Sequence, residues 1–151
     1  MANNSPAVRV LIVDDEPLIL WSLAETLAGL GDVVIEARDG EEALGVLEAM
    51  TAASAPVDVV LLDYRLPDSN GLSLLATVRR VAPHSQVILM TAYGAPEVTR
   101  GALALGAYGV VNKPFDTDHL AALVRQACAA RAGADAPPLP SPLQADLAPV
   151  Y

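Results

Sequence analysis

Short, almost continuous apolar runs alternate with segments of helical period along most of this chain of 151 residues. Five runs predict strands, and most consist largely of Val, Ile and Leu, as a parallel sheet covered on both faces requires. They are Val8 to Val13, Val33 to Ala37, Val57 to Leu62, Ser85 to Met90 and Tyr108 to Asn112. Because a helix follows each run and such crossovers are right-handed, the pattern predicts an α/β protein: a doubly wound, three-layer sandwich of five βα units.

The helical segments carry apolar stripes and recognisable ends. In the first helix the predicted buried face comprises Leu20, Leu23, Leu27 and Leu30, and in the last it comprises Leu120, Leu123, Val124 and Ala127. Asp39 and Asp116 are placed to cap the second and fifth helices, since a carboxylate accepts hydrogen bonds from free helix N–H groups. Gly71 is expected to open the third helix and Pro96 to lie in the first turn of the fourth.

This periodic pattern covers residues 8 to 130 and predicts a single domain there. Residues 1–7 are expected to be disordered. Residues 131–151 contain five prolines and predict a flexible, partly polyproline tail. The small residues between Glu48 and Pro56 predict a loop.

Charge and cysteine content narrow the function classes. A net charge of -9 would be repelled by a phosphate backbone, which argues against a direct nucleic-acid partner. No apolar run approaches the ~20 residues that a membrane span needs, and the polar start does not resemble a signal peptide. One cysteine, Cys128, forms neither an internal disulfide nor a CxxC metal site. We therefore expect a cytoplasmic protein with no membrane partner.

Chemistry-bearing residues follow four of the predicted strands. In an open parallel sheet, ligands bind beyond the carboxyl ends of the strands. At those ends the sequence places Asp14-Asp15-Glu16, Asp63, Thr91 and Lys113, the last being the only lysine in the chain. One acidic residue before a helix is explained by capping, but three converging carboxylates repel one another unless a cation joins them. Oxygen ligands without His or Cys favour Mg²⁺, with Mn²⁺ as the alternative.

A carboxylate beside such a metal can act as a nucleophile and form an aspartyl phosphate, and Asp63 is the candidate. Thr91 then offers a hydroxyl to a phosphoryl oxygen, and Lys113 offers a positive charge. The other interpretations are a hydroxyl at a strand end and a lysine on the surface. Because basic residues elsewhere in the chain are all Arg, a lysine at this position favours the functional interpretation.

Four segments in order resemble the receiver domain of bacterial two-component response regulators, with the chemotaxis-regulator fold. They are Val13-Asp14-Asp15-Glu16, the stretch from Asp63 to Gly71, Met90-Thr91-Ala92 and Lys113-Pro114-Phe115. The match covers residues 8 to about 130, and the stretch from Asp63 is most similar to nitrogen-regulator-type receivers. The resemblance implies a flavodoxin-like fold with strand order 2-1-3-4-5.

The resemblance also implies a role for each matched residue. Asp63 would accept a phosphoryl group from a histidine kinase, a phosphotransfer protein or a small acyl phosphate. Mg²⁺ would be held by Asp14, Asp15, Asp63 and the backbone carbonyl of Arg65. Thr91 would move toward the phosphoryl group and Lys113 would contact it. Ala92 would leave the pocket open, and the Lys113–Pro114 bond would be cis.

The expected function is a signalling switch rather than an enzyme. Its output is protein binding, through the surface of the fourth helix, fifth strand and fifth helix, to a downstream protein or a second copy. Two alternatives stay open. One is a receiver-like scaffold that is never phosphorylated, and the other is a Mg²⁺-dependent phosphohydrolase. The second fits badly because such enzymes carry an Asp-x-Asp pattern after the first strand.

Three positions set this chain apart within the resemblance. Val110 occupies the place where many receivers have an aromatic switch residue, so we expect that coupling to be weakened or rerouted through Tyr93. Tyr108, two residues earlier, is predicted to face the same side of the sheet as Val110. Arg65 and Tyr93 are bulky residues beside the pocket, and we expect them to slow hydrolysis of the phosphoaspartate.

Overall fold

A computed structural model describes residues 7–92 and 95–132. Five parallel strands form one sheet in the order β2-β1-β3-β4-β5. Their bounds are β1 Arg9–Val13, β2 Val33–Ala37, β3 Val59–Asp63, β4 Gln86–Thr91 and β5 Gly109–Asn112. The predicted sheet and its strand order are therefore confirmed, with strand ends that differ from the predicted ones by one or two residues.

A helix follows each strand, and the helices cover both faces of the sheet. They are α1 Pro17–Gly29, α2 Gly40–Ala52, α3 Gly71–Val81, α4 Pro96–Ala104 and α5 Thr117–Ala132. One buried cluster joins the sheet to α2, α3 and α4, and a second joins it to α1 and α5. Alternate strand residues enter each cluster, as in Leu11 and Ile12 of β1, because successive side chains point to opposite faces. The three-layer prediction is confirmed.

The predicted helix ends are also confirmed. Asp39 accepts a hydrogen bond from the N–H of Glu42 at 2.8 Å, and Asp116 accepts one from the N–H of Asp118 at 2.8 Å. Helix α3 begins at Gly71 and α4 at Pro96. The buried face of α5 is the predicted one.

Two expectations about the helices are wrong. Leu30 lies beyond the end of α1 and is 56% exposed, because the helix ends at Gly29 and its stripe does not extend to this residue. Helix α2 continues to Ala52, so the loop predicted from Glu48 is only a few residues long. Alanine and Met50 are good helix formers, and this propensity exceeds the loop tendency of small residues.

A short antiparallel hairpin lies between β3 and α3, where Arg65–Leu66 pairs with Ser69–Asn70. Gly71 closes it, and its N–H donates to the carbonyl of Tyr64 at 2.8 Å. A Cβ atom at Gly71 would lie 2.5 Å from the Cα of Tyr64, so this close approach requires glycine.

The predicted disordered N-terminus and proline-rich tail lie largely outside the described residues. Within the described ranges, the structure contains no helix of the length and apolarity that crossing a bilayer requires.

Candidate phosphoacceptor site

The polar residues singled out from the sequence lie together at the carboxyl edge of the sheet. Asp14 follows β1, Asp63 ends β3, Thr91 ends β4 and Lys113 follows β5. β3 lies between β1 and β4, so Asp63 lies between the other two strand ends. Asp14, Asp63 and Thr91 are all buried. The fold therefore removes two carboxylates and a hydroxyl from solvent at one point.

Lys113 is the cation of this cluster. Its Nζ atom lies 2.8 Å from Asp14 Oδ2, 2.9 Å from Glu16 Oε1 and 3.5 Å from Asp63 Oδ1. Burial alone would lower the pKa of the ammonium group, but the hydrogen bonds to Asp14 and Glu16 and the nearby negative charges raise that pKa above its ordinary value. One positive charge is thus shared among three carboxylates.

Asp63 is a carboxyl group whose charged form is disfavoured by its surroundings. Burial and the charge of Asp14 raise its pKa to about 6, and the Lys113 ammonium and the Arg65 N–H only partly oppose the shift. The Arg65 N–H donates to Asp63 Oδ1 at 3.3 Å. A buried carboxylate that is poorly neutralised at neutral pH is typical of a functional site.

The cluster has the composition of a site for a hard divalent cation. Asp14, Glu16 and Asp63 each offer one oxygen, and the three oxygens lie within 4.8 Å of one another. Asp14 is held in place because its Oδ1 accepts the N–H of Glu16 at 2.9 Å. Carboxylate oxygens without nitrogen or sulfur donors fit Mg²⁺ or Mn²⁺.

The structure brings Glu16 into the cluster and leaves Asp15 outside it. Asp15 is exposed and is absent from the group of neighbouring oxygens. Glu16 precedes α1 at the N-cap position, yet its side chain makes no capping hydrogen bond and reaches Lys113 instead. The sequence indicated Glu16 only as part of the acidic run Asp14-Asp15-Glu16. The available signal was its type, since glutamate is uncommon as an N-cap residue.

The remaining matched residues surround the pocket. Thr91 pairs with Asn112 across β4 and β5, and its carbonyl accepts the Lys113 N–H at 2.8 Å. Ala92 is exposed at the end of β4. The Lys113–Pro114 peptide bond is cis, as predicted. Tyr93 lies outside the described residues.

The prediction that Tyr108 and Val110 share a side of the sheet is wrong. Val110 is fully buried in the cluster beneath α2, α3 and α4, whereas Tyr108 packs against the cluster beneath α1 and α5. Tyr108 precedes the first residue of β5, so the alternation of strand side chains does not extend to it. No aromatic residue of β5 replaces the missing switch residue.

Comparison with known proteins agrees with this geometry. The family model described as response regulator receiver domain matches residues 10–125. The DNA-binding transcriptional regulator NtrC of Escherichia coli (strain K12) is 40% identical over 118 residues, which are 78% of this chain and 24% of that protein. The response regulator protein PilR of Pseudomonas aeruginosa is 38% identical over 119 residues, covering 79% of this chain and 26% of that protein. The chain thus spans about a quarter of the length of these relatives.

Solved structures show the same architecture. A CheY-like response regulator receiver domain protein from Methanospirillum hungatei JF-1 superimposes with a TM-score of 0.78 at 27% identity, covering 85% of this chain and 99% of that one. NtrX from Brucella abortus superimposes with a TM-score of 0.77 at 29% identity, covering 86% of this chain and 28% of that one.

Proposed function

The chain belongs to the response regulator receiver family, and we propose that it is switched by phosphorylation of Asp63. The observation that carries this proposal is the placement of Asp63, buried at the carboxyl end of β3, beside Asp14 and Lys113. Burial and like charge raise the pKa of its carboxyl group. A phosphoryl group on Asp63 would form an acyl phosphate, which carries more negative charge than the carboxylate and therefore needs a cation beside it.

In the proposed step, an oxygen of the Asp63 carboxylate forms a bond to the phosphorus of a donor. The bond from phosphorus to the donor's nitrogen or oxygen breaks, and the donor group leaves with the electron pair. Lys113 lies 3.5 Å from Asp63, close enough to balance the charge that arrives with the phosphoryl oxygens. Thr91 supplies a hydroxyl at the neighbouring strand end.

Mg²⁺ is the proposed cofactor, and Asp14, Asp15, Asp63 and the backbone carbonyl of Arg65 are its proposed ligands. When bound, it would supply positive charge to the phosphoryl oxygens. The group of three neighbouring carboxylate oxygens supports this assignment, and it adds Glu16 as a nearby donor. Because Lys113 contacts the same carboxylates, the ammonium and a metal ion compete for them.

We further propose the remaining components of the switch. The phosphoryl donor is a histidine kinase, a phosphotransfer protein or a small acyl phosphate. The output is binding to a downstream protein or a second copy through the surface of α4, β5 and α5. We propose that the chain itself is a cytoplasmic switch without turnover of a separate substrate, and that residues 131–151 form a tail beside the receiver domain at residues 8–130.

One observation favours a second candidate, a receiver-like scaffold that binds partners without phosphorylation. Val110 is fully buried where the family resemblance implies an aromatic switch residue, so one route from pocket to surface is altered. The scaffold predicts that mutation of Asp63 leaves partner binding unchanged.

Intact-protein mass spectrometry after incubation with acetyl phosphate tests the proposed function. We expect wild type to gain one phosphoryl group in Mg²⁺ and none in EDTA, and Asp63→Ala to gain none in either. If wild type binds Mg²⁺ yet gains no phosphoryl group, the scaffold replaces the switch.

A further inference from the structure

One carboxylate joins the loop after the phosphoacceptor strand to the start of a different helix. Asp68 Oδ1 accepts the N–H of Gly40 at 2.8 Å, and Asp68 Oδ2 accepts the N–H of Glu41 at 3.1 Å. Gly40 and Glu41 are the first two residues of α2, whose N–H groups have no partner within the helix. Asp68 therefore caps a helix that begins 28 residues before it.

The contact between loop and helix is close as well as hydrogen-bonded. The Ser69 hydroxyl donates to Asp68 Oδ1 at 2.8 Å, which orients the carboxylate. A Cβ atom at Gly40 would collide with Ser69 Oγ and lie 3.3 Å from Asp68 Oδ1. Glycine at the first position of α2 thus lets the loop approach, and the hydrogen bonds from Gly40 and Ser69 lower the pKa of the Asp68 carboxyl.

The β3–α3 loop also contacts Asp63, at the end of the loop that follows β3. The Arg65 N–H contacts Asp63, and Arg65–Leu66 pairs with Ser69–Asn70 on either side of Asp68. From Asp63 to Asp68, the chain is therefore fixed by the pocket at one end and by α2 at the other.

We propose that Asp68 is a positioning residue that holds the β3–α3 loop, residues 64–70, against the N-terminus of α2. Binding of Mg²⁺ beside Asp63 then changes the surroundings of both Arg65 and the first residues of α2. This inference rests on the proposed function, because it takes Arg65 to supply a carbonyl to the metal ion. Without the Asp68 hydrogen bonds, the Arg65 carbonyl and N–H are no longer held in place. They must then become ordered when the ion binds, which weakens binding.

The chain offers a matched control for this proposal. Asp39 caps the same helix through the N–H of Glu42 at 2.8 Å, but it lies next to α2 in sequence, and within the described part of the chain its carboxylate makes no hydrogen bond to the β3–α3 loop. Asp39→Ala and Asp68→Ala both remove a carboxylate from the start of α2, and only Asp68→Ala releases the loop. Asp68→Asn keeps an oxygen acceptor and serves as the conservative variant.

Amide NMR during a titration with MgCl2, in the absence of any phosphoryl donor, provides a readout that does not depend on phosphorylation. In the wild-type chain, we expect the amide signals of Gly40 and Glu41 to shift with the same midpoint as those of Arg65. Loss of partners around metal ligands weakens binding about 10- to 100-fold, and Asp68 acts one step further away, so for Asp68→Ala we expect a midpoint about 3- to 10-fold higher. The Gly40 and Glu41 shifts should disappear in that variant.

Asp39→Ala should keep the wild-type midpoint, and Asp68→Asn should lie between wild type and Asp68→Ala. If Asp68→Ala titrates like Asp39→Ala, or if Gly40 and Glu41 do not respond in wild type while Arg65 does, Asp68 does not fasten the loop. A wild-type chain that shows no Mg²⁺ response at Arg65 and gains no phosphoryl group overturns the proposed function instead, and the role of Asp68 with it.

Discussion

Asp58 lies just before β3 and Asp63 is its last residue, and the surroundings of their two carboxylates differ. Asp58, at the amino end of β3, accepts the backbone N–H of Arg9 at 2.8 Å through Oδ2. Asp63, at the carboxyl end, is buried beside Asp14, and its pKa is raised to about 6 by that burial and that charge. An aspartate thus accepts a backbone hydrogen bond at one end of β3, and another is destabilised by burial and like charge at the other end.

The two edges of the sheet differ in the same way. At the amino edge, Arg125 pairs with Asp32 at 2.6 Å, and the Ser85 hydroxyl donates to the Val57 carbonyl at 2.7 Å. At the carboxyl edge, Lys113 faces three carboxylates. Negative charge in excess of its internal partner is neutralised by a bound cation or by a proton. The carboxyl edge is therefore where the molecule responds to its surroundings.

The largest expected effect is the loss of stability when the basic residue of either edge, Lys113 or Arg125, is replaced. Removal of one member of a buried ion pair leaves the other charge uncompensated, which costs about 3 to 5 kcal/mol in the free energy of unfolding. We expect a loss of this order for Lys113→Ala, whose side chain is 11% exposed, and a smaller loss for Arg125→Ala, whose side chain is 37% exposed and better screened by solvent. Both are measured by urea denaturation at pH 7 in EDTA. Measured against wild type in the same buffer, saturating Mg²⁺ should restore most of the loss in Lys113→Ala, because an ion can occupy the same carboxylates. It should restore none of the loss in Arg125→Ala, because Mg²⁺ stabilises wild type and this variant equally.

The comparison of edges breaks down if Mg²⁺ restores both variants or neither. Restoration of both would mean that the ion acts on the chain as a whole, for example by reducing its general charge. Restoration of neither would mean that the carboxyl edge has no greater affinity for a cation than the amino edge.

A smaller change in stability is expected when Asp58 or Asp63, at the two ends of β3, is replaced by asparagine. Without metal, Asp63→Asn removes a destabilised charge and should raise the free energy of unfolding at pH 7 by up to about 3 kcal/mol, because the pKa is raised from 3.8 to about 6 and one pKa unit corresponds to about 1.4 kcal/mol. Asp58→Asn weakens a charge-assisted hydrogen bond and should lower it by about 0.5 to 1 kcal/mol. Equilibrium denaturation in urea measures both. A destabilising Asp63→Asn would contradict the account.

The gain from Asp63→Asn depends on pH with a definite sign. The pKa of Asp63 is about 6 in the native state and near 3.8 when unfolded, so between these values the native state binds more protons. Stability contributed by the protonated native form is therefore complete below pH 3.8 and is lost as the pH rises toward about 6. Relative to wild type, Asp63→Asn should gain little near pH 4 and reach its full gain above pH 6.

The smallest effect concerns the rim of the carboxyl edge. Arg65 is exposed beside Asp63, and Tyr93 follows Thr91 by two residues. If both residues limit access of water to the phosphoaspartate, each alanine variant should lose its phosphoryl group about threefold faster, a change of under 1 kcal/mol in activation free energy. Decay of the phosphorylated mass after removal of donor measures the rate. Unchanged decay in both variants would assign slow hydrolysis to other residues.

Most of the fold could be predicted from the sequence because its signals are local. Continuous apolar runs such as Val59 to Leu62 indicate buried parallel strands, and the caps at Asp39 and Asp116 depend on residues within one helical turn. The convergence of Asp14, Asp63 and Lys113 was also predictable, since parallel strands bring their carboxyl ends to one edge.

The features that sequence analysis missed depend on contacts between distant segments. Glu16 reaches Lys113 across 97 residues, and Asp68 reaches Gly40 across 28. Neither distance follows from the spacing of residues along one element. Tyr108 was misplaced because alternation applies only within a strand, and its start at Gly109 is set by pairing with β4.

The central claim is that the carboxyl edge of the sheet needs an added cation, such as Mg²⁺, and that the amino edge does not. It is tested most directly by the effect of Mg²⁺ on the urea unfolding of wild type, Asp63→Asn and Asp58→Asn at pH 7. A ligand that binds only the folded chain stabilises it by about 3 kcal/mol at 100 times its dissociation constant. We predict stabilisation of this order for wild type and Asp58→Asn and much less for Asp63→Asn. Equal stabilisation of all three, or none in wild type, would contradict the account.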